Sequence, residues 1–309
     1  IIVCKEEYLP YDRMKISKIL NSTIDDVQLR PHQFYMEKNI EFLLNTEAID
    51  VDFKIKEVIL SHGKNIKYDK AFIATGSRPQ IPKIPGIELQ NIFSLRTLSD
   101  AQNLHKQLIP KNHVVILGSG FIGLELASYA VKYSAKVTIV STSTFPLQKT
   151  FGDVVAKKIM KIFEDKGVSF MMNCGIKSIY AISQDQNVSA VQLTNGEFLK
   201  AEVCVIAVGS KFNTKFLRGS GMELKKDGSI DTNEYLETNI PDVYVGGDIA
   251  NSPIFVNVNE RATIGHYAVA QYHGRIAALN MLGRKTELKT VPYFSTHLFE
   301  HCISYTGHG

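Results

Sequence analysis

The stretch from Val114 to Val140, VVILGSGFIGLELASYAVKYSAKVTIV, constrains the fold more than any other part of the chain. An apolar, β-branched run, Val114-Val115-Ile116-Leu117, leads into a turn through Gly118, Gly120 and Gly123. The spacing predicts a helix from there to about Lys132 and a second strand over Lys136 to Val140. This order suits a dinucleotide. The first glycine permits the tight turn, the second lets backbone approach a pyrophosphate, and the third lets helix pack on strand. The helix N-terminus then presents unpaired N–H groups and the positive end of its dipole to the phosphates.

At 309 residues there is room for more than one core. The net charge of +4 comes with no basic stripe interleaved with aromatics, which argues against nucleic-acid binding. The densest basic cluster, Lys157, Lys158 and Lys161, reads as the solvated face of a helix. Cysteines stand at 4, 174, 204 and 302 with no CxxC pair, so neither a redox-active disulfide nor a zinc knuckle is written here. Reduced thiols in a reducing compartment, cytoplasm or mitochondrion, are expected. The apolar glycine-loop stretch contains Glu125, which argues against a membrane span.

Ile1 to Val3 reads as a strand, followed by Glu6 or Glu7 where a second Rossmann strand would hold a ribose hydroxyl. A helix is predicted from Pro31 to about Lys38, and short strands near 40–44, 47–53 and 56–61. Tyr68 to Pro79 is a strand running into a glycine turn, and Pro79, Pro82, Pro85 and Gly86 mark a connector. Thr97 or Ser99 caps a helix to about Leu108. Beyond the glycine loop, Gly152 to Lys166 has helical spacing, and 168–171, 176–182 and 188–193 read as strands. AEVCVIAVG (201–209), ending in Gly209, repeats the strand-into-glycine pattern of AFIATG (71–76). Two copies flanking the loop imply an α/β fold of two nested Rossmann-like units. TNIPDVYVGGD (238–248) is a third such strand, ending in Gly247 and Asp248, and Glu260 to about Leu282 reads as a helix carrying His266, His273 and Arg275.

LPYDRMKISK (9–18), AFIATGSRP (71–79), GSGFIGLE (118–125) and TNIPDVYVGGD (238–248) together resemble the two-dinucleotide flavoprotein reductases. Within them the chain is similar to the apoptosis-inducing factor-like branch, near the bacterial ferredoxin reductases of ring-hydroxylating dioxygenases. GHYAVAQYHGRIAALNML (265–282) and VPYFSTHLFEHCISYTGHG (291–309) look like that branch's last flavin helix and the start of its interface domain.

The resemblance implies an FAD-binding domain over 1–109 and 237–290, an NAD(P)H-binding domain over 110–236, and the start of an α+β interface domain over 291–309. It implies electron transfer from NAD(P)H through FAD to an iron–sulfur acceptor of ferredoxin or Rieske type. Glu6 would hold a ribose, and Arg13 and Lys18 would lie by the isoalloxazine. Ala74, Thr75 and Gly76 would pack beside FAD, as would Gly209 and Gly247, and Asp248 would hold the ribityl chain. Gly118, Gly120 and Gly123 would cradle the nicotinamide dinucleotide, with Glu125 towards its nicotinamide end. His266 suits either the flavin edge or a helix start.

Four departures stand out. The flavin domain's own glycine loop would precede Ile1, and the interface domain stops soon after it starts, so a redox-inactive remnant is the alternative reading. Met14 replaces the branch's usual Pro. At the end of the second strand, where an acidic residue reads the ribose 2′-OH, the chain has Ser141, then Thr142, Ser143 and Thr144. His297 and His301 have the i, i+4 spacing of a helical metal pair, yet their surroundings read as two strands and a turn, so no metal site is expected.

Overall fold

The computed structural model describes residues 1–134, 136–182, 186–255 and 257–307. The chain is α/β. A five-stranded parallel sheet runs in the order Val168–Met171, Lys136–Val140, His113–Leu117, Val203–Ile206, Ile92–Phe93. Every residue of His113–Leu117 is buried, because a central parallel strand is covered on both faces. That cover accounts for its unbroken apolar run. Successive side chains serve opposite cores. Val114 and Ile116 pack with the helices, while Val115 and Leu117 pack under a small antiparallel sheet of Ile176–Tyr180, Ala190–Leu193 and Phe198–Lys200.

The glycine-loop helix is Phe121–Ala130. The next, Gln148–Asp165, starts earlier than its periodicity suggests and is interrupted at Gly152 (φ 70°). It buries Ala156, Ile159 and Phe163 and leaves Lys157, Lys158 and Lys161 exposed. Thr97 caps the helix Leu98–Gln107, its hydroxyl accepting from the Asp100 amide at 3.1 Å.

Around this sheet stand two parallel pairs, Ile2–Val3 with Phe42–Leu43 and Ala71–Ile73 with Val243–Val245. The strand-into-glycine patterns at 71–76 and 201–209 meet in space. Ser77–Pro79 pairs antiparallel with Ser210–Phe212, and the Gln80 amide donates to the Gly209 carbonyl at 2.9 Å.

The last predicted helix also differs at its start. The segment from Glu260 is not helical until Tyr267: Asn257–Thr263 is a strand antiparallel to Ala250–Ile254, and the helix is Tyr267–Met281. Arg261 reaches across that pair, donating to the carbonyls of Thr232 and Asn251, so tertiary partners override the local pattern.

The hairpin Tyr293–Leu298 and His301–Thr306 folds back onto the parallel sheet's helices. Phe294 lies 4.7 Å from Phe121 between ring centroids, and Phe299 lies 4.8 Å from Phe163. His297 faces Cys302 across the hairpin and His301 faces Leu298, so the two histidines do not share a helix face. The last two residues of the 291–309 stretch lie outside the described residues. Among the described residues, no helix is long and apolar enough to cross a membrane.

Candidate dinucleotide sites

The three loop glycines have separable roles. Gly118 has φ +118°, and a Cβ there would stand 2.2 Å from the Ala207 carbonyl oxygen. A Cβ on Gly123 would stand 2.1 Å from the Gly118 carbonyl oxygen. Gly120, the residue before the helix, has φ −80°, and a Cβ there would meet nothing within 4 Å. Backbone packing demands the first and third glycines. Space outside the chain is what the second preserves, at a helix N-terminus suited to an anion.

Ser141 follows the second strand and is buried. Its oxygen accepts from Ser119 Oγ at 2.8 Å and from the Ser143 amide at 3.2 Å. Lys149, the nearest cation after it in sequence, is exposed.

A second cluster surrounds Asp248. Gly246 has no room for a side chain, since a Cβ would stand 2.6 Å from the Phe72 ring and 3.0 Å from His273 Cβ. Gly247 has φ +68°, and its amide donates to His273 Nδ1 at 3.1 Å. Burial depresses the His273 pKa to about 4, so the ring is neutral and Nδ1 is free to accept. Asp248 Oδ2 accepts from Ser77 Oγ at 2.6 Å and from Arg96 Nη2 at 3.2 Å. Gly76 (φ +63°) lies under that guanidinium, a Cβ there falling 2.8 Å from Arg96 Nη2.

The cluster continues. The Arg96 carbonyl accepts from Arg13 Nη1 at 2.6 Å, and Arg13 Nη2 pairs with Glu6 Oε1 at 2.6 Å. Tyr11 donates to Glu6 Oε2 at 2.5 Å and accepts from Arg13 at 2.8 Å. Burial pushes the Tyr11 phenol well above its ordinary range and keeps that proton in place. Glu6, Tyr11, Arg13, Arg96, Asp248 and Ser77 therefore form one connected polar network.

A further ion pair joins the half-buried Lys18 to the buried Glu125, Nζ to Oε1 at 3.0 Å. Lys18 also donates to the Met14 carbonyl at 3.0 Å. Glu125 projects from the glycine-loop helix and Lys18 from the segment that carries Arg13, so this pair joins the two clusters.

The structure thus brings Glu6, Arg13, Gly76 and Asp248 together, and Lys18 with Glu125. Arg13 engages Glu6 and Arg96, and Lys18 engages Glu125 and Met14. Ala74 and Thr75 are exposed, Thr75 Oγ1 donating to the Asn213 carbonyl at 2.8 Å. Gly209 has φ +102° and open space at its Cβ position. The His266 ring packs 4.3 Å from that of Phe294 at the start of its helix. Tyr11, Ser17, Ser77, Arg96, His273 and Thr296 complete these clusters; all but Arg96 lie within the segments that carry the resemblance, yet no spacing marks their side chains as site residues.

The Cys174 and Cys204 thiols stand apart from this chemistry, whereas Cys4 lies near enough to Glu6 and Arg13 to feel their charges. Cys204 is buried in the parallel sheet, which pushes its pKa up to about 12, and burial also raises that of Cys174. Among the described residues, no group of three or more His, Cys, Asp or Glu side chains is placed to hold a metal ion.

A family profile described as pyridine nucleotide-disulphide oxidoreductase matches residues 1–274. Human apoptosis-inducing factor 3 is 34% identical over 310 aligned residues, which cover 100% of this chain and 51% of that protein. Rubredoxin-NAD(+) reductase of Ectopseudomonas oleovorans is 30% identical, with 96% of this chain and 77% of that protein covered. Among solved structures, the covalent putidaredoxin reductase–putidaredoxin complex superposes with a TM-score of 0.93 at 26% identity, over 99% of this chain and 74% of that one. The chain spans about half the length of the apoptosis-inducing factor 3 relatives it matches.

Proposed function

As the chain belongs to the pyridine nucleotide-disulphide oxidoreductase family, we propose that it binds FAD and NAD(P)H and passes electrons from NAD(P)H to an iron–sulfur acceptor protein or domain. The observation that carries this reading is the Lys18–Glu125 pair, which ties the helix of a glycine loop with an open central position to the segment whose Arg13 belongs to the polar network of Asp248. The names of relatives that act on rubredoxin or pair with putidaredoxin support the acceptor class. Residues 1–109 and 237–290 serve as the flavin-binding portion, 110–236 as the nicotinamide-binding portion, and 291–309 begins a further one.

The residues present fit both groups. FAD, when bound, supplies acceptance of a hydride and release of single electrons. Gly118, Gly120 and Gly123 cradle the NAD(P)H pyrophosphate on backbone N–H groups. Asp248, anchored by Ser77 and Arg96, accepts from a ribityl hydroxyl. Lys18 supplies a fixed cation, which favours negative charge developing beside it. No thiol takes part, in keeping with cysteines that are unpaired and, at 174 and 204, buried. A reducing compartment, cytoplasm or mitochondrion, suits those thiols.

The test is direct. The whole protein, purified, should show the visible absorbance of bound flavin, and stopped-flow mixing with NADH or NADPH should bleach it. Protein that carries no flavin, or flavin that neither nucleotide bleaches, overturns the reading.

A further inference from the structure

Strand alternation turns Phe294, Thr296 and Leu298 towards the protein, and the middle position is buried yet holds a hydroxyl. An aliphatic side chain would suit that position better unless something there needs a donor. Thr296 Oγ1 donates to Glu125 Oε1 at 2.6 Å. We propose that Thr296 is a positioning residue for electron transfer from NAD(P)H: it fixes the Glu125 carboxylate, and through it the Lys18 ammonium. This rests on the functional reading above.

Burying a carboxylate is costly unless it is both paired and hydrogen-bonded. The Glu125 side chain is only 7% exposed. Lys18 and Thr296 both occupy Oε1, at 3.0 and 2.6 Å, and Ser17 Oγ donates to Oε2 at 2.5 Å. An ionised carboxylate offers about four lone-pair sites, so three are taken and the remaining one lies on Oε2. Rotating the carboxylate away would break two bonds at Oε1 together. Its plane is therefore set from outside its own helix, by the 17–18 segment and by the C-terminal hairpin. Among the described residues that leaves one acceptor position on Oε2 for a further donor, such as a carboxamide N–H. Lys18, shared between Oε1 and the Met14 carbonyl, moves only if that arrangement moves.

Thr296→Val keeps the shape and removes the donor, whereas Thr296→Ser keeps it. In the whole FAD-loaded protein, Thr296→Val should slow flavin reduction at saturating NAD(P)H by about tenfold or more, the loss of one hydrogen bond to a charged group. The Kd for NAD(P)H should stay within about threefold, because the glycine cradle is untouched. Thr296→Ser should recover the rate to within about threefold.

A readout independent of turnover is a thermal double-mutant cycle. Thr296→Val should lower Tm clearly beside Glu125 and much less in a Glu125→Leu background, where the acceptor is gone. Should Thr296→Val not fold, Ser17→Ala removes the donor at Oε2 and should slow reduction with the same separation of rate from Kd. Equal reduction rates in wild type, Thr296→Val and Ser17→Ala would overturn the proposal, as would Tm losses that simply add in the cycle. A wild type whose bound flavin NAD(P)H does not reduce overturns the functional reading first, before any variant is compared, and the positioning role falls with it.

Discussion

The amide of Gly247 donates to Nδ1 of His273 across 26 residues of sequence, holding the turn that ends in Asp248. That contact needs an unprotonated ring. Burial depresses the pKa of His273 to about 4, and burial does the same to His113, whose Nε2 lies 2.8 Å from Thr138 Oγ1. For each, the unfolded chain binds a proton near pH 6.5 that the folded state refuses until about pH 4. Stability is therefore fully present above about pH 6.5 and is lost as the pH falls towards 4. Each group contributes on the order of 3 kcal/mol across that window. Denaturant unfolding at a series of pH values should show this slope. His273→Gln should flatten it by about half, and an unchanged slope would remove His273 from the account.

The glycine loop allows a contrast between variants. Gly118→Ala and Gly123→Ala place a methyl 2.2 and 2.1 Å from a carbonyl oxygen, so each should destabilise the fold by roughly 3 kcal/mol or more. Gly120→Val has open space and ordinary backbone, so Tm should change little. On the proposed reading its side chain fills the pyrophosphate position, so NAD(P)H reduction of the flavin should fail while FAD stays bound. Thermal melts and flavin spectra on the three variants separate packing from binding.

That contrast also shows what a sequence can reveal. The loop is legible because strand, turn and helix occupy 27 adjacent residues with fixed local requirements. The partners of Glu125 are not: Ser17 and Thr296 lie 108 and 171 positions away, and Arg96 lies 152 from Asp248. No periodicity or turn chemistry encodes such pairings, which arise only when separate segments are packed. The strand Asn257–Thr263 escaped the sequence reading for the same reason, since its antiparallel partner and the reach of Arg261 decide its conformation.

Asp248 should matter to FAD retention through its charge. Its Oδ2 is already held by Ser77 and Arg96, so the carboxylate is pre-set rather than free to adjust. Asp248→Ala would remove a charged acceptor worth about 1.5–3 kcal/mol and leave Arg96 without its partner. Purified Asp248→Ala should carry most of its flavin sites empty, while Asp248→Asn should retain more. Equal flavin-to-protein ratios in wild type and Asp248→Ala would take Asp248 out of the site.

In the proposed nicotinamide site, cofactor choice turns on what stands at the end of the second parallel strand. A carboxylate there accepts from ribose hydroxyls and repels a 2′-phosphate. Ser141 brings no charge. Its oxygen already accepts from Ser119 Oγ and the Ser143 amide, which leaves its own O–H as the group it can offer a ribose. A donor of that kind does not discriminate, because a 2′-hydroxyl and a 2′-phosphate both accept. NADH and NADPH should therefore differ in kcat/KM by less than about tenfold, or ~1.4 kcal/mol. Ser141→Ala should weaken both cofactors alike and leave their ratio unchanged. Ser141→Glu must first displace Ser119, so it should lower both activities and NADPH much the more, through repulsion of the phosphate. A wild-type preference of a hundredfold in either direction would mean that a charged residue outside this turn reads the 2′ position.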